Sequence, residues 1–429
     1  MIIKRIGRAI SHAFKNPRIL GAYYRRYLPP VKLMVCGIVF LPLKMLLYKK
    51  DIWLICEKIT EARDNGYHFF KYVKENHPEV NAYYVIAKGS PDSEKVNHYG
   101  NIVAANSFRH YLYCLAAKVS ICSQPYGALP DPKRELYGLS KCFGRKDQLV
   151  VFLQHGITKD EMPHSLDYIN THFDLLCCVS AKEQQFMSMV HGYPNNVAEV
   201  LGFCRYDALL SSHEVKKQIL IMPTHRMWLH AANSQKAATD RECKEFEKTD
   251  FYRAYAQLLT DEKFLCGARL RGYSIVFYLH YATQSFLKCF MKFANDAVII
   301  ADREHYDVQQ LLLESAILIT DFSSVFFDFA YMGKPEVFYQ FDEERYRACH
   351  FKKGYFDYES DAFGKVCRSE EDTVKETICI LEAGCSLSQV YRERADEFFT
   401  LRDTNNSKRV FEEVYRKANH NGSRKKSGV

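Results

Sequence analysis

The chain contains no G-x-G and no G-x-x-x-x-G-K, so neither the dinucleotide fingerprint nor the usual phosphate loop is available. It has no D-x-D, the aspartate pair that holds a metal–diphosphate in many sugar-nucleotide enzymes. H-E-x-x-H and G-x-S-x-G are missing as well, which removes the zincin helix and the nucleophile elbow. No C-x-x-C pair occurs among the fifteen cysteines, so a zinc or iron–sulfur site has little support and no metal is expected. There is no repeat of solenoid length and no low-complexity stretch. What remains is phosphate chemistry without those metal-binding pairs, or no phosphate chemistry.

At 429 residues the chain exceeds one ordinary core, and two domains are expected. With 47 % hydrophobic and 26 % charged residues it has a globular composition. The net charge of +8 is unevenly placed, because residues 1–50 hold eleven Lys and Arg and no Asp or Glu. The rest is slightly acidic, which argues against nucleic acid as a partner of the main body. An odd number of scattered cysteines without a standard signal peptide suits a reduced, cytosolic chain. Ile2, Ile3, Ile6, Ile10 and Phe14 recur at roughly helical spacing, with Lys4, Arg5, Arg8 and Lys15 between them. An apolar run, Leu33–Leu43, follows between Lys32 and Lys44. It falls short of the roughly 20 residues of a spanning helix. A basic amphipathic helix with a short apolar stretch suits the surface of an anionic leaflet, while the bland alternative is a packed helix with a solvated basic face. The basic tail from Arg416 to Lys426 could reinforce a membrane contact, though such tails are usually just solvated.

Beyond residue 50, short β-rich runs alternate with longer amphipathic segments. Asp51–Cys56, Ala82–Ala87, Lys118–Ser123, Leu149–Gln154 and Leu175–Val179 read as strands, with helices over Gly66–Asn76 and from about Ser180. After a break near Leu210–Lys216 the rhythm restarts with Gln218–Met222, Ser274–Leu279, Ala297–Ala301, Ala316–Thr320 and Glu336–Tyr339. Two such runs predict an α/β protein of two doubly wound, Rossmann-like domains. Ligands in such sheets sit beyond the carboxyl ends of the strands. His155, Thr224, Arg226, His280 and Asp321 all fall there.

Four segments carry the candidate chemistry. In Leu153–Asp160 a strand delivers His155 onto a turn opened by Gly156, where an imidazole could accept a proton from an attacking hydroxyl and Lys159 could add charge for phosphate. A turn histidine bonded to backbone is the bland alternative. In Ile319–Ala330 a strand runs into Thr-Asp-Phe-Ser-Ser. Asp321, Ser323 and Ser324 are either plain helix caps or, with free amides, an anion site. In Met222–Arg226, Arg226 offers a planar fork for phosphate. In Tyr278–Tyr281, His280 could donate to a phosphoryl oxygen. Each of these two is weak alone, since strand-end arginines and histidines are often structural.

Taken together and in order, QHGITKD (154–160), GFCRYD (202–207), MPTHR (222–226), the stretch 311–342 and KKGYFDY (352–358) resemble the CDP-glycerol glycerophosphotransferase family, which includes teichoic acid primases and polymerases. The resemblance implies a GT-B-like architecture, with two Rossmann-like domains facing a cleft. It implies metal-independent, cofactor-free transfer of a polyol phosphate from a CDP-polyol donor to a lipid-linked or polymeric glycan acceptor, with CMP released. The protein would be peripheral, at the cytoplasmic face of the cell membrane. His155 would be the base, and His280 would sit against the donor phosphates. Thr224, Arg226, Ser323 and Ser324 would hold the diphosphate, Asp321 would be a further substrate-binding residue, and Arg303 and Asp307 are weaker candidates. The expected division is a membrane-associating segment over 1–50, an acceptor-side domain over 51–212, a CDP-donor domain over 213–415 and a tail over 416–429. Two departures stand out. The family often has Thr-Pro where this chain has Ile157-Thr158, and an arginine where it has Tyr278. The competing readings are a GT-B glycosyltransferase that releases a nucleoside diphosphate, and a membrane-bound scaffold that has lost its chemistry.

Overall fold

The computed structural model describes residues 17–130, 140–211, 213–229 and 236–423. The apolar–basic pattern expected over residues 2–15 and the end of the basic tail lie outside them.

Two wholly parallel sheets form the molecule. The first has seven strands in the order β3-β2-β1-β4-β5-β6-β7: β1 Trp53–Cys56, β2 Ala82–Ile86, β3 Ile102–Ala104, β4 Val119–Cys122, β5 Leu149–Phe152, β6 Leu175–Cys178 and β7 Ala198–Val200. The second has six in the order β10-β9-β8-β11-β12-β13: β8 Gln218–Ile221, β9 Ser274–Tyr278, β10 Val298–Ala301, β11 Ile317–Thr320, β12 Glu336–Tyr339 and β13 Lys365–Cys367. Strands such as Trp-Leu-Ile-Cys and Ile-Leu-Ile-Thr are buried at every position, as strands covered on both faces must be. In each sheet the order reverses between the first strand and the fourth, β1 beside β4 and β8 beside β11. Those two switch points face one cleft, which is the expected GT-B arrangement of two Rossmann-like domains. The three strands that periodicity did not reveal, β3, β7 and β13, are three-residue edge strands.

The chain crosses between domains through Gly202–Asp207. Gly202 has φ +82°, and a Cβ there would run into Asn406. Phe203 and Tyr206 insert into an aromatic core with Phe326, Phe327 and Phe399 of the second domain. Asp207 accepts hydrogen bonds from the Asn406 and Ser407 amides (2.8 Å each). It thereby starts the last helix, Asn406–Ser423, which returns to the first domain and buries Val410, Phe411 and Val414 against Trp53 and Phe69.

One feature of the N-terminal segment departs from expectation. Pro17–Tyr48 is a single helix, α1, running through Pro29, Pro30 and Pro42. Its Leu28–Tyr48 stretch, 21 residues with mean hydropathy 1.9, is long and apolar enough to cross a membrane. The apolar run seen in sequence was therefore only part of a longer element. Leu33, Cys36, Phe40 and Leu47 are nevertheless buried against the first domain beside Tyr111 and Leu115, which fixes one face of α1 to protein. Val31, Met34, Val35, Ile38, Leu41 and Met45 remain exposed on the other. Phe40→Asp, at a fully buried position, should lower stability by at least about 3 kcal/mol. Ile38→Asp, at a position 64 % exposed, should change it by no more than about 0.5 kcal/mol. Denaturant titration of the two variants checks that asymmetry, and equal effects would mean that α1 is not docked on the domain.

Candidate active site

His155 follows β5 on a backbone turn that its neighbour is forced to make. Gln154 has φ +58°, a left-handed conformation that a residue with a side chain adopts only when held. Its Nε2 donates to the Cys177 carbonyl (2.7 Å) and to Glu183 (3.0 Å), and its Oε1 accepts from the Thr158 hydroxyl (2.7 Å). Its carbonyl accepts from Asn65 Nδ2 (2.8 Å). Glu183 is fully buried and also accepts from the Thr158 and Val179 amides. Burial pushes its carboxyl up to about 7 despite those bonds. The resulting turn aims His155 into the cleft. Gly156 packs so closely on the second domain that a Cβ would stand 2.7 Å from Ser324 Oγ.

Three connected cavities lie between the domains, of about 310, 860 and 240 Å³, and His155 lines all of them. His155 Nδ1 lies 3.3 Å from the Ser123 carbonyl at the end of β4. A carbonyl only accepts, so that contact assigns the proton to Nδ1 and leaves Nε2 as the lone-pair nitrogen. The ring is open to cleft water, yet the surrounding walls dehydrate it. This holds its pKa below the usual imidazole value, with the Asp64 charge pulling the other way.

His280 carries the opposite tautomer. Its Nδ1 accepts from the Ala282 amide (3.3 Å), so the neutral ring has its proton on Nε2. Burial, with the nearby His225 and Lys58 charges next in weight, drives its pKa down to about 3. His225 stacks on it at 4.5 Å between ring centroids, and His350 meets His225 edge-on at 4.7 Å. His350 likewise accepts on Nδ1, from the Met227 amide (3.1 Å), and burial and His225 push it down to about 4. Both rings therefore favour the neutral form, with Nε2–H left as a donor.

The structure divides the remaining candidates. Ser323 and Ser324 line the 310 Å³ cavity together with Thr224, His225 and His280. The amides of Ser323, Ser324 and Val325 take up no hydrogen bond among the described residues. Arg303 stands exposed on the wall of the 860 Å³ cavity, with Tyr278 and Asp307. Arg226 and Asp321 are both fully buried and line no cavity. The expectation that Arg226 offers its fork to phosphate is corrected by its partners. The guanidinium is 2.9 Å from Asp321, makes two 2.8 Å bonds to Asp342, and donates to the Thr224 carbonyl (2.7 Å). Asp321 in turn accepts from the amide and hydroxyl of Thr224 (2.8 and 2.6 Å) and from the Phe322 amide. This network joins the loops after β8 and β11 beneath the cavity floor.

Sequence reading missed Lys58 and Asp64 on the loop after β1, Asn65 at the start of the helix Asn65–Asn76 that follows, and Glu183. The buried pair Glu57 and Asn65 gave no motif to find. No group of three or more His, Cys, Asp or Glu among the described residues is arranged to hold a metal ion.

The geometry agrees with what the chain is similar to. The family described as CDP-Glycerol:Poly(glycerophosphate) glycerophosphotransferase matches residues 38–416. The minor teichoic acid biosynthesis protein GgaB of Bacillus subtilis (strain 168) is 32 % identical over 376 residues, covering 85 % of this chain and 40 % of GgaB. The teichoic acid glycerol-phosphate primase of the same strain is 33 % identical over 128 residues, 30 % of this chain and 32 % of the primase. This chain thus spans less than half the length of either relative. The solved structure of the wall teichoic acid polymerase TagF superposes with a TM-score of 0.65 at 16 % identity, covering 96 % of this chain and 98 % of that one, which shows a shared fold.

Because Arg226 holds two buried carboxylates, Arg226→Met should destabilise the protein by about 3–5 kcal/mol. Thermal and denaturant unfolding measure this. A variant of unchanged stability would return the arginine to a ligand-binding role.

Proposed function

This chain belongs to the CDP-glycerol:poly(glycerophosphate) glycerophosphotransferase family, and on that premise we propose that it transfers a polyol phosphate from a CDP-polyol to a membrane-linked glycan or teichoic-acid-type acceptor. The observation that carries this reading is the pair of histidines facing one cavity with opposite tautomers, beside the open amides of Ser323 and Ser324. One imidazole is built to take a proton and the other to give a hydrogen bond.

In this mechanism His155 Nε2 removes the proton of the acceptor hydroxyl. The oxygen attacks the phosphorus that carries the polyol. The bond from that phosphorus to the bridging oxygen breaks, and its electron pair leaves on CMP. The imidazolium then loses its proton to solvent. His280 Nε2–H and the Ser323 and Ser324 groups stabilise charge on the phosphoryl and departing oxygens, electrostatic work that needs no rearrangement at the moment of transfer. Thr224, Asp321 and Arg226 hold the loops in place, and Arg303 serves the larger cavity. The domain division drawn from sequence remains our proposal, with the last helix counted to the first domain by its packing.

The same reading puts the protein on the cytoplasmic membrane face, where nucleotide donors are made. The exposed apolar side of α1, flanked by Lys32, Lys44, Lys49 and Lys50, supplies the contact.

With membranes or a lipid-linked acceptor, CDP-glycerol or CDP-ribitol should give acceptor-dependent CMP release that persists in EDTA. His155→Ala should cut the rate by about 10²–10⁴ with folding intact, and near-normal turnover would remove His155 from the mechanism. Release of a nucleoside diphosphate from a sugar donor would establish the glycosyltransferase alternative instead. The acidic limb of kcat/KM should lie below the ordinary imidazole pKa of about 6.5, since dehydration disfavours protonation of the base. A limb above that value would contradict the assignment.

A further inference from the structure

We propose that Lys58 is a catalytic cation of this cleft, reaching from the first domain to the phosphoryl oxygens of the donor during transfer. The proposal rests on the transfer reading above and adds a residue to it. Phosphoryl transfer spreads negative charge over the transferred group and the leaving oxygen, and its catalysis is largely the placement of positive charge there. Burial and their neighbours disfavour the charged forms of His280 and His350, so a cation on the cleft wall supplies what these rings do not.

The other cations nearby are committed. Arg226 is spent on Asp321 and Asp342 beneath the floor. Arg205 is held between Asp64 (3.0 Å) and Asp328 (2.8 Å), and Arg63 is held by Asp92 (2.6 Å). Lys159 is buried on Asp160, which also binds Arg347 (2.6 Å). Arg303 opens only onto the 860 Å³ cavity. Lys58 is different, because with His155 and Tyr281 it lines all three cavities.

Its setting suits a movable head on a fixed base. The loop is pinned by buried Glu57, which accepts the amides of Arg63 (2.6 Å), Asp64 (3.1 Å) and Tyr67 (3.1 Å). The ammonium, by contrast, has only exchangeable partners. It sits 4.4 Å over the ring of Tyr281 from the second domain and 3.3 Å from the half-exposed Glu61, contacts that are weak at exposed sites. A diphosphate arriving beside Ser324 can displace both.

The test compares wild type, Lys58→Met and Lys58→Arg in CMP release from CDP-glycerol, and in CDP binding by calorimetry. Lys58→Met should lower kcat by about 10²–10³-fold with an unchanged melting temperature, while Lys58→Arg should keep most of the rate. The acidic limb of kcat/KM should move to higher pH in Lys58→Met. His155 faces Asp64, Arg205 and Lys58, and loss of one positive neighbour makes it easier to protonate. An unchanged kcat overturns the proposal. Wild-type silence with every CDP-polyol would sink the transfer reading instead, and CDP binding then decides for Lys58. A threefold or greater loss of CDP affinity in Lys58→Met supports a diphosphate-facing cation, and equal affinity overturns it.

Discussion

Arg205 is the contact on which the geometry of the cleft depends. Its guanidinium makes two 2.8 Å bonds to Asp328 of the second domain and a 3.0 Å bond to Asp64 of the first, while its own amide donates to Asn65 Oδ1 (3.1 Å). The other end of Asn65 donates to the carbonyl of Gln154, the strained residue that aims His155. A single dipeptide, Asp64-Asn65, thus couples the inter-domain ion pair to the direction of the base. Breaking such a buried pair leaves an uncompensated charge and costs about 3–5 kcal/mol, so the crossing segment is not a free hinge. Its Tyr206 hydroxyl also donates to Asp328 (3.0 Å), and Asp207 ties down the returning helix.

How much of this was legible beforehand follows from which physical signals act locally. Strands buried on both faces are continuous apolar runs, so Leu149–Phe152 and Ile317–Thr320 stood out, and with them the polar residues that must follow. Strands of three residues, such as Lys365–Cys367, carry too few side chains to show a period. In sequence the N-terminal apolar run stops at Lys32 and Lys44, and the prolines at 29, 30 and 42 disfavour a helix interior, yet one helix runs through them. Packing of Phe40 and Leu33 against the domain outweighs that local cost. Arg226 shows the opposite limit. A strand-end arginine has the same local sequence whether it meets a ligand or two carboxylates, and here Asp342, 116 residues away, decides. Lys58, Asp64 and Asn65 could not be singled out because their roles depend on contacts with Tyr281, Arg205 and Gln154, all distant in sequence.

The electrostatics of the cleft then have a consistent logic. The buried arginines Arg205 and Arg226 are paired with carboxylates and serve architecture. His280 stacks on His225 and His350 meets it edge-on, and a proton on one of these rings repels a proton on the next, which is why burial and mutual proximity both push them down. In the proposed mechanism they act as oriented dipoles, their Nε2–H groups held by the amides that Nδ1 accepts. Dipoles of this kind are most effective in a dehydrated site, since nothing must reorganise as charge develops. His155 lies outside this cluster, nearer to Asp64, whose negative charge favours the imidazolium that the proposed mechanism requires. Under the proposed mechanism the base and the donor-facing rings belong to different domains, and the close packing of Gly156 on Ser324 is a contact through which the two halves of the site meet.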